Sequence, residues 1–164
     1  MIDQTNPRAR YYENFQQVAT QLQEQPWYTD AWQIVVKYYG EGNSRNPGFT
    51  LYKSNWFDGG IHFESWMGNA DVKRSAVPIS MHFETNYDKS GIRRGKFHEY
   101  ILEEGKAVID ELNGYTVSAK SMQLLINRKP YTEDTFVDMM VQEYCTLQKL
   151  ATVIDAAIEA VQEK

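Results

Sequence analysis

The chain has 164 residues, a formal net charge of −5, a pI near 5.2, and 42% hydrophobic and 13% aromatic residues. That length fits a single α+β domain, 1–164, with a sizeable core, and the acidic balance excludes a general nucleic-acid coat, which needs Lys and Arg to neutralise phosphates. Cys145 is the only cysteine, so an internal disulfide and a four-thiolate metal site are both excluded; with no apolar leader and no unbroken apolar run of about 18 residues, the expectation is a soluble cytoplasmic chain with no membrane association.

In chain order, Asn6-Pro7 is a helix start, because Asn caps free N–H groups and proline is pre-shaped for the first turn. Tyr11, Phe15, Val18 and Leu22 then recur at helical spacing, which predicts a helix over about residues 7–25, ended by Pro26. WQIVVKYY and FTLYKSNW read as strands, separated by the loop composition GEGNSRNPG. FDGG is a turn signal, since Gly and Asp accept the positive φ of tight turns, and GIHFESWM and VPISMHFE are two further strands joined by NADVKRSA. Four sequential strands with short connections predict an antiparallel meander.

After Asp88 the period becomes helical again, with Phe97, Ile101, Gly105, Val108 and Leu112 in one stripe and Asn113-Gly114 as the stop. Gly105 in that stripe suggests a close approach to the sheet. One more strand is expected in YTVSAKSMQLLINR, where Met122, Leu124 and Ile126 alternate although Leu124-Leu125 blurs the period. Thr132, followed by Glu133 and Asp134, caps a long last helix whose stripe is Phe136, Met140, Leu147, Ile154, Ile158 and Val161. The predicted fold is α+β in the order α-β-β-β-β-α-β-α, an antiparallel sheet of about five strands with three helices packed mainly on one face.

The tripeptide HFE occurs at 62–64 and again at 82–84 and holds two of the three histidines. By alternation Phe63 and Phe83 face the core, whereas His62, Glu64, Trp66, His82 and Glu84 share the other face, with Ser65 as an exception to the pattern. Pairing Phe63 with Phe83 would set His62 opposite Glu84 and Glu64 opposite His82. Cross-strand His–Glu pairs on a solvated sheet face, a divalent metal site and an acid/base pair compete for that arrangement. Surface pairing and recognition is the reading adopted, with no metal, no cofactor and no catalytic residue assigned. Trp66 among partly paired charges fits the anchor of a recognition surface.

A second candidate is DKSGIRRGK, where Lys89, Arg93, Arg94 and Lys96 gather near a helix start and could hold an anion. It is not a P-loop, because the glycine spacing is one residue short and Phe97 stands where a Ser or Thr should meet magnesium. His98, beside Phe97, reads as the edge of a buried stripe, and Cys145 as a small apolar residue of a helix. The functional expectation is therefore a non-catalytic protein-binding module of the immunity, inhibitor or adaptor kind, with a basic partner favoured by charge. A small metal-dependent or acid/base enzyme using the two HFE segments and an anion-binding regulatory domain are the alternatives.

Overall fold

The computed structural model describes residues 8–41, 45–118 and 121–163. Helix α1 spans Ala9–Gln23 and buries Tyr11, Phe15, Val18 and Leu22, the stripe that the sequence spacing picks out, together with Ala9. Its expected cap at Asn6-Pro7 lies outside the described residues. Strands β1 (Trp32–Tyr39), β2 (Asn46–Lys53), β3 (Ile61–Trp66) and β4 (Ala76–Phe83) follow as an antiparallel meander. Between β3 and β4 lies a short helix, α2 (Asn69–Arg74), in the segment that reads as a plain connection. Ser75 closes this helix in the left-handed region, at φ 50°.

The second expected helix is three pieces: α3 (Tyr87–Ser90), α4 (Arg94–Glu104) and α5 (Lys106–Glu111). Gly105 marks the break between the last two, and its close approach is not to the sheet as expected: a Cβ there would lie 2.6 Å from the Ile101 carbonyl and 3.0 Å from Leu150 Cδ2. The last helix is likewise divided, into α6 (Phe136–Leu147), a tighter 3₁₀ turn at Gln148–Leu150, and α7 (Ala151–Val161). It begins after Thr135 rather than at Thr132; the two threonine hydroxyls are hydrogen-bonded to each other at 2.9 Å just ahead of it.

The single strand expected after α5 is a pair, β5 (Thr116–Val117) and β6 (Gln123–Pro130), which makes a six-stranded sheet in the order β1-β2-β3-β4-β6-β5. All five neighbouring pairs are antiparallel. Met81 pairs with Leu125 but His82 pairs with Gln123, so Leu124 is an extra residue, a β-bulge. The bulge explains why Leu124 and Leu125 are both buried and why Met122, Leu124 and Ile126 do not share one face.

Phe49, Leu51, Phe63, Val77, Ile79, Met81 and Phe83 form the sheet's contribution to the core. Helices pack on this face through ring contacts such as Phe49–Tyr144 at 4.8 Å and Phe83–Phe97 at 4.9 Å. Ser65 is on this face too, and the polar exception is satisfied by a 2.8 Å hydrogen bond with the Tyr144 hydroxyl. Midway along α7, Asp155 accepts hydrogen bonds from Lys53, Asn55 and Trp56 Nε1, tying the last helix to the β2–β3 turn. Among the described residues, no helix is long and apolar enough to cross a membrane.

Candidate functional site

The opposite sheet face is built by the alternate residues of the same strands. Across its middle, Val35 pairs with Thr50, Thr50 with Glu64, and Glu64 with Ser80. One pair further along β3 and β4, His62 stands directly opposite His82, and Phe63 opposite Met81. The expected pairing of Phe63 with Phe83 is therefore displaced by two residues: Phe83 pairs with Ile61. A two-residue slip keeps every side chain on its face, so alternation is blind to it; the connection containing α2 sets the register instead.

The expected solvated face is also not what these residues make. His62 and His82 are each 6% exposed, Ser80 is fully buried, and Thr50 is 9% exposed, whereas the Glu84 side chain keeps 44% of its surface. Each imidazole is held at Nδ1. His62 Nδ1–H donates to the Gly59 carbonyl at 2.6 Å, and the His82 Nδ1–Glu84 Oε1 distance is 2.7 Å. Their Nε2 atoms both turn to one carboxylate: His62 Nε2 is 3.2 Å from Glu64 Oε2 and His82 Nε2 is 3.2 Å from Glu64 Oε1. The first contact is aligned as a hydrogen bond; the second is not, so His82 Nε2 is buried without a hydrogen-bond partner. Trp66 meets the His82 ring edge-on at 6.4 Å, as expected for a residue of this face.

The Gly59 carbonyl that orients His62 belongs to a turn in which Phe57, Asp58 and Gly59 all have positive φ, at 55°, 52° and 87°. For Phe57 and Asp58 that conformation costs on the order of 1–2 kcal/mol each. The strain is offset by bonds that close the turn, Gly60 N–H to the Phe57 carbonyl at 3.0 Å and Glu84 N–H to the Gly60 carbonyl at 2.7 Å. The turn thus joins both histidine holders, Gly59 and Glu84, in one structure.

Electrostatics follow from this crowding. Burial works against a charged His62 ring, but the Glu64 hydrogen bond and charge, with the Gly59 carbonyl, outweigh it and raise the ring above its ordinary 6.5. Burial likewise opposes the Glu64 carboxylate, and the two histidines overcome it, lowering the group below 4.5. Tyr39, whose hydroxyl lies 2.8 Å from Thr50 Oγ1, is raised above 10.0 by burial first and by the Glu64 and Glu84 charges. Its ring lies across Gly48, where a Cβ would fall 2.2 Å from Tyr39 Cε2. A glycine at this strand position is what admits the aromatic wall.

Beside the cluster is a cleft of about 220 Å³ whose lining includes Lys37, Tyr39, Tyr52, Asp58, Glu64 and Glu84. A neighbouring cleft of about 550 Å³ shares Asp58, Gly59 and Glu84 with it and reaches Asn86 and Lys89. Sequence reasoning assigned none of Lys37, Tyr39, Tyr52 or Asp58. The signal was faint because both parities of β1 carry large side chains. One donor atom from each of His62, Glu64, His82 and Glu84 lies within 4.8 Å of the others, a set with metal-binding chemistry.

The basic residues at 89–96 are not drawn into one pocket. All four are exposed, and the Arg93 guanidinium bonds Glu163 at 3.3 Å and lies 4.8 Å from the Tyr87 ring centre. Tyr87 in turn donates to Glu163 at 2.6 Å. His98 is fully buried on α4, edge-on to Phe83 and hence on the helix-bearing side. Comparison of the chain with protein-family models, with curated proteins and with solved structures finds no match in any of the three.

Proposed function

We propose that the chain is a non-catalytic binding module that docks a basic protein partner on the sheet face centred on His62, Glu64, Trp66, His82 and Glu84. The observation that supports this reading best is the pair of adjoining clefts, which share Asp58, Gly59 and Glu84 and bring the carboxylates Asp58, Glu64 and Glu84 to one surface. An Arg or Lys side chain entering there meets acceptors, while the half-buried rings of Tyr39, Tyr52 and Trp66 supply the rigid amphipathic contact area that interfaces favour. The overall charge of −5 steers a basic partner toward the chain and does so less as salt rises. Such a role is of the inhibitor or adaptor kind. The Arg93–Glu163–Tyr87 contacts leave the anion-binding alternative with less support, because they occupy one of its cations.

Two-dimensional NMR of the labelled chain with an arginine-rich peptide tests the proposal. Shifts are expected at residues 37–39, 50–52, 58–66 and 80–84, fading with salt and reduced in Glu84→Gln with Asp58→Asn. An acidic peptide of equal length should cause none. Shifts confined to the helix-bearing side, or equal shifts with both peptides, would refute it.

A further inference from the structure

We infer that His62 Nε2, His82 Nε2 and the Glu64 carboxylate form a binding site for one divalent ion of the late first-row transition series, zinc being the reference case. This inference does not rest on the docking of a partner.

A carbonyl oxygen only accepts, so the 2.6 Å contact with Gly59 requires the proton of neutral His62 to sit on Nδ1. The 2.7 Å contact of His82 Nδ1 with the Glu84 carboxylate places a proton there by the same reasoning. In the neutral rings Nε2 then carries a lone pair. The His62 lone pair is aimed at Glu64 and the His82 nitrogen lies 3.2 Å from the same carboxylate, whose oxygens accept as well. Three electron-pair donors facing one another repel unless a cation lies among them, and they are 3.2 Å apart on both sides of the carboxylate. Ligands about 2.0–2.1 Å from a tetrahedral ion stand about 3.3–3.4 Å from each other, which the two nitrogen–carboxylate distances match, and one donor atom from each residue of the set lies within 4.8 Å of the others.

Metal-bound histidines usually donate the other ring N–H to a carbonyl or carboxylate, which fixes the tautomer and the ring plane. Gly59 does this for His62 and Glu84 does it for His82. His82 Nε2 is buried without a hydrogen-bond partner although its ring lies among polar groups, which a ligand atom awaiting an ion would explain. The side chains of both histidines are only 7% exposed, and both stand on paired strands, so the donors are held rigidly and away from bulk water. Two imidazoles and one carboxylate suit zinc, iron, cobalt or nickel and disfavour magnesium. Three protein ligands leave a coordination position for water or a Lewis-basic group.

The competing occupant is the proton, which neutralises the same lone pairs by making imidazolium. Chelator-treated protein separates the two. Cobalt(II) is titrated with visible spectroscopy and zinc with calorimetry, with magnesium as the control. The expected result is one ion per chain, the ligand-field bands of tetrahedral or five-coordinate cobalt, their loss on adding zinc, and no magnesium binding. His62→Gln, His82→Gln and Glu64→Gln should each weaken zinc by more than about 100-fold, and Glu84→Ala by about 10–100-fold, the range for groups that orient a ligand. Glu84→Gln, which still accepts from Nδ1–H, should recover most of that loss. Circular dichroism identifies any variant that fails to fold, and in that event wild-type stoichiometry and the Glu84 pair decide. No bound ion at hundredfold excess, or zinc affinity unchanged in a folded Glu64→Gln protein, overturns the inference and assigns the cluster to protons alone.

Discussion

Asp155→Ala should destabilise the chain by about 2–4 kcal/mol, although the side chain lies near the surface. Its carboxylate accepts from Lys53 at 2.5 Å, Asn55 at 3.0 Å and Trp56 Nε1 at 2.8 Å. Trp56 is fully buried against Trp32 and Phe63, so its indole N–H cannot turn to water once the acceptor is gone, and that orphaned donor alone costs about 1–3 kcal/mol. Lys53 and Asn55 can find solvent, and each adds at most about 1 kcal/mol. Urea melts give the total. Asp155→Asn keeps an oxygen for Trp56 and should lose about half as much. The carboxyl titrates below its ordinary 3.8, because the Lys53, Trp56 and Asn55 bonds overcome the burial that pushes it up. Folded protein therefore binds fewer protons than unfolded protein just below that value, and stability falls as pH drops through the lowered pKa. This acid loss should be shallower in Asp155→Asn. A cost under about 0.5 kcal/mol for Asp155→Ala would show that the tie between α7 and the β2–β3 turn is ornamental and that packing alone holds Trp56.

Phe63→Ala, at a fully buried position opposite Met81, should cost about 3–5 kcal/mol in the same melts, whereas Glu84→Gln should cost under about 1 kcal/mol, because nearly half of that side chain is in water. Tyr144→Phe leaves buried Ser65 Oγ without its 2.8 Å partner and should cost about 1–3 kcal/mol with little change in the far-ultraviolet spectrum. Ser75→Gly should raise stability by about 0.5–1 kcal/mol, since the exposed serine ends α2 at φ 50°, which glycine adopts without steric cost; an unchanged melting temperature would count against strain there.

The strands and the faces of the sheet were legible because one face is apolar and the pleat has period two. Phe49, Leu51, Phe63, Val77, Ile79 and Met81 are all fully buried, as alternation requires. Three features lay beyond that logic. Leu124-Leu125 is two adjacent buried residues because a bulge inserts one of them between paired positions, and a bulge breaks the period from which strands are read. Gly105 sits on the helical stripe, yet its lack of a Cβ is used at a break between helices, against Ile101 and Leu150, so spacing alone named the residue but not its neighbour. The walls of the clefts, Lys37, Tyr39 and Asp58, come from a strand and a turn that the sequence marks only as a strand and a turn, and they acquire a role only when the sheet brings them to the face that carries His62 and Glu64.

The two-residue register is the most consequential of these differences. In the expected pairing each histidine faces a glutamate, and the face neutralises itself pair by pair across the strands. In the observed pairing histidine faces histidine, Glu84 lies beyond the last pair of β4, and Glu64 lies within contact distance of both Nε2 atoms. Glu84 and Gly59 then take the Nδ1 side of the rings, and the remaining lone pairs converge. The same residues, on the same face, pass from a set of surface ion pairs to an arrangement that needs a positive charge at its centre. A slip that leaves burial unchanged, and so costs the core nothing, is enough to change the chemistry of the opposite face. The short helix α2 and its left-handed Ser75, which set that register, therefore belong to the site as much as the histidines do.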